Sequence, residues 1–276
     1  MRAVSVLGVS LVALFLAHPA LAGIEVFSQQ RRVAVDIEVS EALYASCIPL
    51  LDPLCQPDEV TTTNFSDSET APDTSPFVET ANDPAFPSTW ASQDSLLGAN
   101  RLRASGSHAA ASSFWQSGGF PITFHSESHA AESSVVVDFS LAETTPYRLD
   151  GNVATSGGFT SSSSAWIRLS GPGGVVAEVQ VDTDPNCTDP GCFTVGPEPL
   201  GATGTLAAGS YTLEAIASGN ASGLHSTSGS FGGGMGGAFD VELLVGAAVL
   251  PGLGPPGLAL LSLALGAGGV QRLRGV

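Results

Sequence analysis

Between Trp90 and Val245 the sequence alternates apolar and polar residues in short runs, each bounded by Gly, Pro, Asn or Ser. Phe120, Ile122 and Phe124 alternate with polar neighbours, as do Val135, Val137 and Phe139; Tyr147, Leu149 and Val153 continue after Pro146. Trp166, Ile167 and Leu169 precede the turn Gly171-Pro172-Gly173-Gly174, and Val175, Val179 and Val181 follow it. Two further runs, 208–216 and 238–245, close the series. A period of two belongs to half-buried strands, and no stretch here carries the 3.6-residue period of an amphipathic helix. Short strands with regularly spaced turn signals predict an all-β fold, an antiparallel β-sandwich of jelly-roll-like form.

The region before Trp90 divides in two. In 23–46 the alternation around Arg32 puts Val33, Val35, Ile37 and Val39 on one face of a strand that opens the sheet. In 47–89, seven prolines (Pro49, Pro53, Pro57, Pro72, Pro76, Pro84 and Pro87) sit among Thr, Ser, Asp and Glu with few apolar residues. Such a stretch buries too little to fix its own backbone, so a long loop or insertion is expected. The predicted organisation is therefore a signal segment 1–22, a first strand region 23–46, this insertion 47–89, the sandwich 90–246 and a C-terminal segment 247–276.

The two ends read as targeting elements. Arg2 precedes an apolar stretch from Ala3 to Ala17 that is shorter than the about 20 residues a membrane span needs. His18 and Pro19 break the signal helix, and Ala20-Leu21-Ala22 offers the small residues a signal peptidase accepts, which predicts cleavage before Gly23. The alternative is an uncleaved anchor. At the other end Pro251, Pro255 and Pro256 lead into an apolar run closed by Arg272 and Arg274, and no charge occurs from Leu243 to Val270. An apolar helix followed by arginines engages a membrane with the arginines on the cytoplasmic side, and the run after Pro256 is short for a full span. A buried C-terminal core helix is the competing reading.

Proline turn, apolar helix and terminal arginines in this order resemble the C-terminal sorting signals of bacterial exosortase and related systems. The match is nearer to the IPTL-CTERM type, because the Pro-Glu-Pro core of the PEP-CTERM type is missing. The segment from Phe139 to Leu213, with Thr-Pro-Tyr-Arg-Leu-Asp-Gly, Leu-Ser-Gly-Pro-Gly-Gly and Gly-Thr-Leu-Ala-Ala-Gly-Ser-Tyr-Thr-Leu, is similar to the β-sandwich region of exported proteins with such tails. The resemblance implies export machinery, a sorting enzyme and the membrane as partners, and a place at the cell surface or in the extracellular matrix.

Composition narrows the function classes. There is no lysine, which excludes Schiff-base chemistry, a Walker A lysine and any Ser-Lys dyad. After the signal, 26 acidic residues face eight arginines, and no basic residue occurs from Val33 to Asn100. Nucleic acid is excluded as a partner, because phosphate binding needs clustered Lys and Arg. The acidic surface solvates the protein and collects divalent cations weakly at most. Four cysteines fall as local pairs, Cys47 with Cys55 and Cys187 with Cys192, and in an exported chain two disulfides are expected. The alternative, a four-cysteine zinc site, lacks C-x-x-C spacing.

Candidate sites are few. In a strand His125, Glu127 and His129 share a face opposite Phe120, Ile122 and Phe124, and two imidazoles so spaced can hold zinc or copper. The competing reading is a polar outer face. Asp182, Asp184, Asn186 and Asp189 place oxygens at the first, third, fifth and eighth positions of a calcium-like loop. Cys187 in the glycine position and Phe193 in the glutamate position break the EF-hand pattern, so turn chemistry competes with calcium, the one cofactor the sequence suggests. The run 232–237 contains G-x-G-x-x-G, but a strand pattern follows where phosphate binding needs a helix, so a flexible loop is expected. No G-x-S-x-G or H-E-x-x-H occurs. Trp90, Trp115 and Trp166 stack on sugars if exposed and fill the core if not. The reading reached from sequence is a non-enzymatic surface or matrix protein; the alternatives are a glycan-binding module and a hydrolase of unrecognised type.

Overall fold

The computed structural model describes residues 23–49, 51, 54–117, 120–158, 160–183, 194–226, 229–231 and 233–246. Outside them lie the predicted signal and tail helices with Ala20, Ala22, Pro251, Pro255, Pro256, Arg272 and Arg274, the pair Cys187 and Cys192, and Asp184, Asn186 and Asp189 of the calcium-like loop. No helix among the described residues is long and apolar enough to cross a membrane.

Fifteen strands are formed by the described residues: β1 Glu25–Tyr44, β2 Glu59–Thr70, β3 Phe77–Asp83, β4 Phe86–Leu97, β5 Arg101–Ala111, β6 Phe114–Gln116, β7 Ile122–Leu141, β8 Thr145–Ser156, β9 Ser161–Gly171, β10 Gly174–Asp182, β11 Thr194–Leu206, β12 Gly209–Ser222, β13 Leu224–Ser226, β14 Gly229–Phe231 and β15 Gly234–Val245. One sheet runs β10-β9-β12-β7-β1-β2 with β6 also paired to β7, and the other runs β11-β8-β15-β5-β4-β3; β13 and β14 form a separate ribbon. The ladders are antiparallel. The expected antiparallel β-sandwich is thus observed.

The registers define two poles. Ile24, the turn 98–100, the start of β8, the β9–β10 turn and the end of β15 lie at one, the proximal pole. The β3–β4 turn, β6, the end of β1 and the starts of β9 and β15 lie at the distal pole. Ile24 N donates to Ala99 O and Val245 N to Asn100 O, so the first and last strands finish against the same turn.

The interior changes along this axis. Phe139, Leu149, Ile167, Leu169, Leu213 and Leu243 are fully buried in the proximal half, each side chain contributing about 1.5–3 kcal/mol by removal from water. Towards the distal pole alanines become frequent among the buried apolar positions, with Ala81, Ala91, Ala110, Ala131 and Ala221 beside Val33, Val35, Ile37 and Met235. His108, His129, Ser163 and Thr89 are buried among them. The inward face of β7 records the whole gradient, from Leu141, Phe139, Val137 and Val135 through Ser133 and Ala131 to His129, Glu127 and His125.

Two expectations are corrected. The stretch 47–89 is not one long loop: β2, β3 and the start of β4 occupy most of it from Glu59 onward. Strand β2 pairs on one side only and keeps most of its side chains exposed, so it needs little apolar content; β-branched Val60 and Thr61 to Thr63 favour extension, and an edge tolerates polarity on both faces. The pair Cys47–Cys55 clips the loop between β1 and β2 as expected, with Cα atoms 5.8 Å apart. Second, Gly234 to Gly237 open β15 and are not a loop. A Cβ on Gly237 would lie 2.5 Å from His108 Cε1 and 2.9 Å from Ser163 Oγ, so glycine there makes room for the buried polar pair.

Arg31 secures the passage from one sheet to the other. Its side chain points inward on β1 and is fully buried. The guanidinium donates to Gln29 Oε1 (2.9 Å), Ser95 Oγ (3.2 Å), Ser75 O (2.8 Å) and Asp73 O, and lies 5.6 Å from the Phe77 ring centroid. Burial disfavours its charge while Asp73 supports it, and an arginine stays protonated regardless. Ser75 and Asp73 lie in the β2–β3 crossover and Ser95 on β4, so one fork ties three segments. Arg31→Met keeps much of the volume but leaves those carbonyls unpaired. Urea unfolding is expected to show a loss of about 3 kcal/mol, together with faster proteolysis within 71–76.

Candidate functional site at the distal pole

His125, Glu127 and His129 do share one face of β7, with Ile122 and Phe124 on the other. Their face is the inward one and not a polar outer surface. Because β7 is one continuous strand, the parity that buries Val135, Val137 and Phe139 also points the trio inward. On the opposite face Phe124 packs edge-on against Tyr44 (5.3 Å between centroids) and near Phe114.

Each member of the trio is held by neighbours. His125 Nε2 is 3.1 Å from Glu127 Oε1 and its Nδ1 is 3.2 Å from Glu41 Oε1, so the ring is clamped between two carboxylates. Glu127 Oε2 accepts from both the backbone N (2.7 Å) and Oγ (2.8 Å) of Ser113. Burial by itself would raise the Glu127 carboxyl, but the hydrogen bonds from His125 and Ser113 and the charge of His129 hold it below the ordinary carboxylate range. His129 is fully buried. Its Nδ1 shares a 2.6 Å hydrogen bond with Thr89 Oγ1 on the opposite sheet, and its Nε2 lies 3.3 Å from Glu127 Oε2 without hydrogen-bond alignment. Burial pushes the His129 imidazole down, against the pull of Glu127.

The geometry answers the metal expectation. Glu127 stands between the two imidazoles, while Glu41 and Thr89 meet their other nitrogens, so the donor atoms face one another and not a common point. Among the described residues no group of three or more His, Cys, Asp or Glu side chains is arranged to hold a metal ion. Of the four candidate oxygen ligands in the calcium-like loop only Asp182 is among the described residues; its Oδ2 accepts from Gln180 Nε2 at 2.8 Å.

Trp115 completes the pole. Strand β6 pairs it with His125, and the indole lies parallel to the imidazole at 5.1 Å with 14° between planes. Trp115 is 45% exposed, whereas Trp90 and Trp166 are half-buried, so none of the three is a core residue. One face of the indole rests on a clamped histidine, whose other partner is the exposed Glu41 carboxylate. A fixed aromatic plane beside hydrogen-bonding groups suits stacking on a flat, hydroxylated ligand.

A second buried histidine lies deeper, and sequence reasoning missed it. Ser163 Oγ donates to Gly236 O (2.9 Å), which leaves His108 Nε2 to donate to Ser163 Oγ (3.2 Å). The imidazole is then a donor towards the hydroxyl and not its base, and Nδ1 has no hydrogen-bond partner among the described residues. This Ser–His contact is an inter-sheet tie. Its faint sequence signal was the alternation of Leu102, Ala104, Gly106 and Ala110 around His108, too small-sided to read as a strand face.

No protein-family model and no curated protein matches the chain. Solved structures give weak similarity. A chain of the infectious bursal disease virus Gx strain aligns with TM-score 0.18 and 11% identity, covering 82% of this chain and 66% of that one, just under two thirds. The Gt strain gives TM-score 0.15, 10% identity and coverage of 91% and 74%; the VP2 subviral particle of the same virus gives 0.16, 11%, 82% and 65%. Likeness at this level carries no argument about fold or function.

Burial lowers the His108 pKa to about 4. The unfolded chain takes up that proton first, near pH 6.5, so the cost to the fold builds as pH falls from about 6.5 to about 4 and is complete below; His129 acts in the same direction. Urea titrations at pH 7 and pH 4 are expected to differ by about 3 kcal/mol for His108 alone, at about 1.4 kcal/mol per pKa unit. His108→Gln, which keeps a donor towards Ser163 without titrating, is expected to shrink that difference.

Proposed function

We propose that this chain is an exported, non-enzymatic surface or matrix protein: a β-sandwich carried out of the cytoplasm by segment 1–22 and sorted or anchored by segment 247–276. One observation carries the reading. Ile24 and Val245, which lie next to the two segments, both hydrogen-bond to the turn 99–100, so the two segments join the sandwich at one pole. The Cys47–Cys55 disulfide supports an oxidising compartment. Changes of sheet at β2–β3, β5–β6, β7–β8, β8–β9, β10–β11 and β11–β12 support the jelly-roll-like reading of the sandwich. The tail resembles an exosortase-type sorting signal of the IPTL-CTERM kind, which makes the sorting machinery and the membrane its partners.

Intact mass of the protein recovered from its source tests this. The expected product starts at Gly23 and is released by protease treatment of whole cells. A product retaining Met1 and found inside the cell overturns the proposal; retention of Arg272 and Arg274 makes the tail a plain anchor.

Trp115 favours a second reading, a glycan-binding module with its site at the distal pole. Retention on extracellular polysaccharide that falls at least tenfold in Trp115→Ala, with the unfolding midpoint unchanged, supports it. No retention on any polymer of a broad panel counts against it.

A further inference from the structure

The proximal pole carries a second feature that the display reading does not use. Phe27 (61% exposed), Leu96 (42%), Val175 (58%) and Val176 (38%) present large apolar side chains to solvent here, as Leu51, Leu54, Val60, Trp115 and Phe120 do towards the distal pole. The first four lie within a few residues of the proximal turns: Phe27 follows Val26, which pairs with Phe139; Leu96 pairs with Arg103; Val175 and Val176 follow the β9–β10 turn. Val175 and Val176 also wall a hollow of about 280 Å3 at this pole, with Tyr147, Pro172, Leu206 and Tyr211.

Their spacing indicates what they meet. Phe27 on β1 and Val175 on β10 stand at strands four places apart in the same sheet, and Leu96 is on the other sheet, so at about 4.8 Å per strand the anchors spread over roughly 20 Å. Side chains that far apart do not converge on a small ligand; they suit an extended apolar surface. Gly246, where the uncharged segment 247–270 begins, follows Val245 at this same pole. The arginines of the described residues also lie in the proximal half, but Arg31 is fully buried and Arg101, Arg148 and Arg168 are paired with Glu242, Asp150, Glu178 and Glu214. The apolar side chains therefore hold the contact, and the position of Gly246 at this pole sets its direction.

We infer that the proximal pole rests on a lipid bilayer, with Phe27, Leu96, Val175 and Val176 entering its interfacial layer and the distal pole facing away. The inference rests on the tail engaging a membrane, as proposed above. Apolar and aromatic side chains at that depth bind by burial of their area.

The test uses the full chain reconstituted with vesicles of phosphatidylcholine and phosphatidylglycerol, with and without brominated acyl chains. Phe27→Trp and Leu96→Trp add a fluorophore at exposed proximal positions, and Phe120→Trp adds one at the distal pole; emission of the parent, with its three native tryptophans, is subtracted. The expected result is co-sedimentation of every variant, with at least twofold quenching of the added emission at 27 and 96 and none at 120. Co-sedimentation without quenching at 27 and 96, or with equal quenching at 120, overturns the docking of this pole while leaving the anchored tail intact. Failure to co-sediment overturns the anchored tail and the docking together.

Discussion

Strand β7 is hydrogen-bonded along its length on one side to β1, from Ile122 to Ser140, and from Ser128 to Leu141 on the other to β12. Its side chains therefore have no freedom to change face: a slip of one residue would turn Phe139 and Val137 to solvent and Asp138 and Val136 inward. That register places four large apolar side chains towards the proximal pole and three polar ones towards the distal pole on one inward line. The layout of the interior, and with it the position of the candidate site, follows from this ladder.

The two halves of the interior serve different ends. In the proximal half, burial of Phe139, Leu149, Leu213 and Leu243 supplies non-directional stabilisation that tolerates modest rearrangement. In the distal half alanines line much of the interior, and directional bonds cross the gap: Thr89 to His129 and His108 to Ser163, with Gln93 Nε2 to Ser134 O at 2.7 Å where the two halves meet. Such bonds are satisfied in one alignment of the sheets only. Apolar burial holds the sandwich together, and the polar ties choose how its layers sit.

Where large apolar residues alternate, the sequence shows its strands plainly, as in β8, β9, β12 and β15. It is silent where alternation uses small or polar residues. Strand β5 buries Ala104, Gly106, His108 and Ala110, which carry no hydropathy contrast. Strand β11 holds Pro197 and Pro199 and pairs with β8 alone, an edge position where proline is tolerated. The shared face of His125, Glu127 and His129 was legible from parity. That this face is inward required joining 122–129 to 133–141 as one strand. Trp115, Ser113, Glu41 and Thr89 come to the site from three other parts of the chain, and no local spacing announces such contacts. Arg31 was two residues from Val33, on the same parity, yet a charged residue there reads as a strand's end until the crossover carbonyls that surround it are seen.

The meeting of both ends at the turn 99–100 has a mechanical side. Strand β15 lies inside its sheet, paired with β5 from Gly234 to Leu244 and with β8 from Gly236 to Val245. A pull at Gly246 directed away from the proximal pole acts along the strand axis. It loads the bonds of both ladders in shear, so that they must yield together and cannot peel away one after another. A domain tethered at that point is gripped where it resists force best.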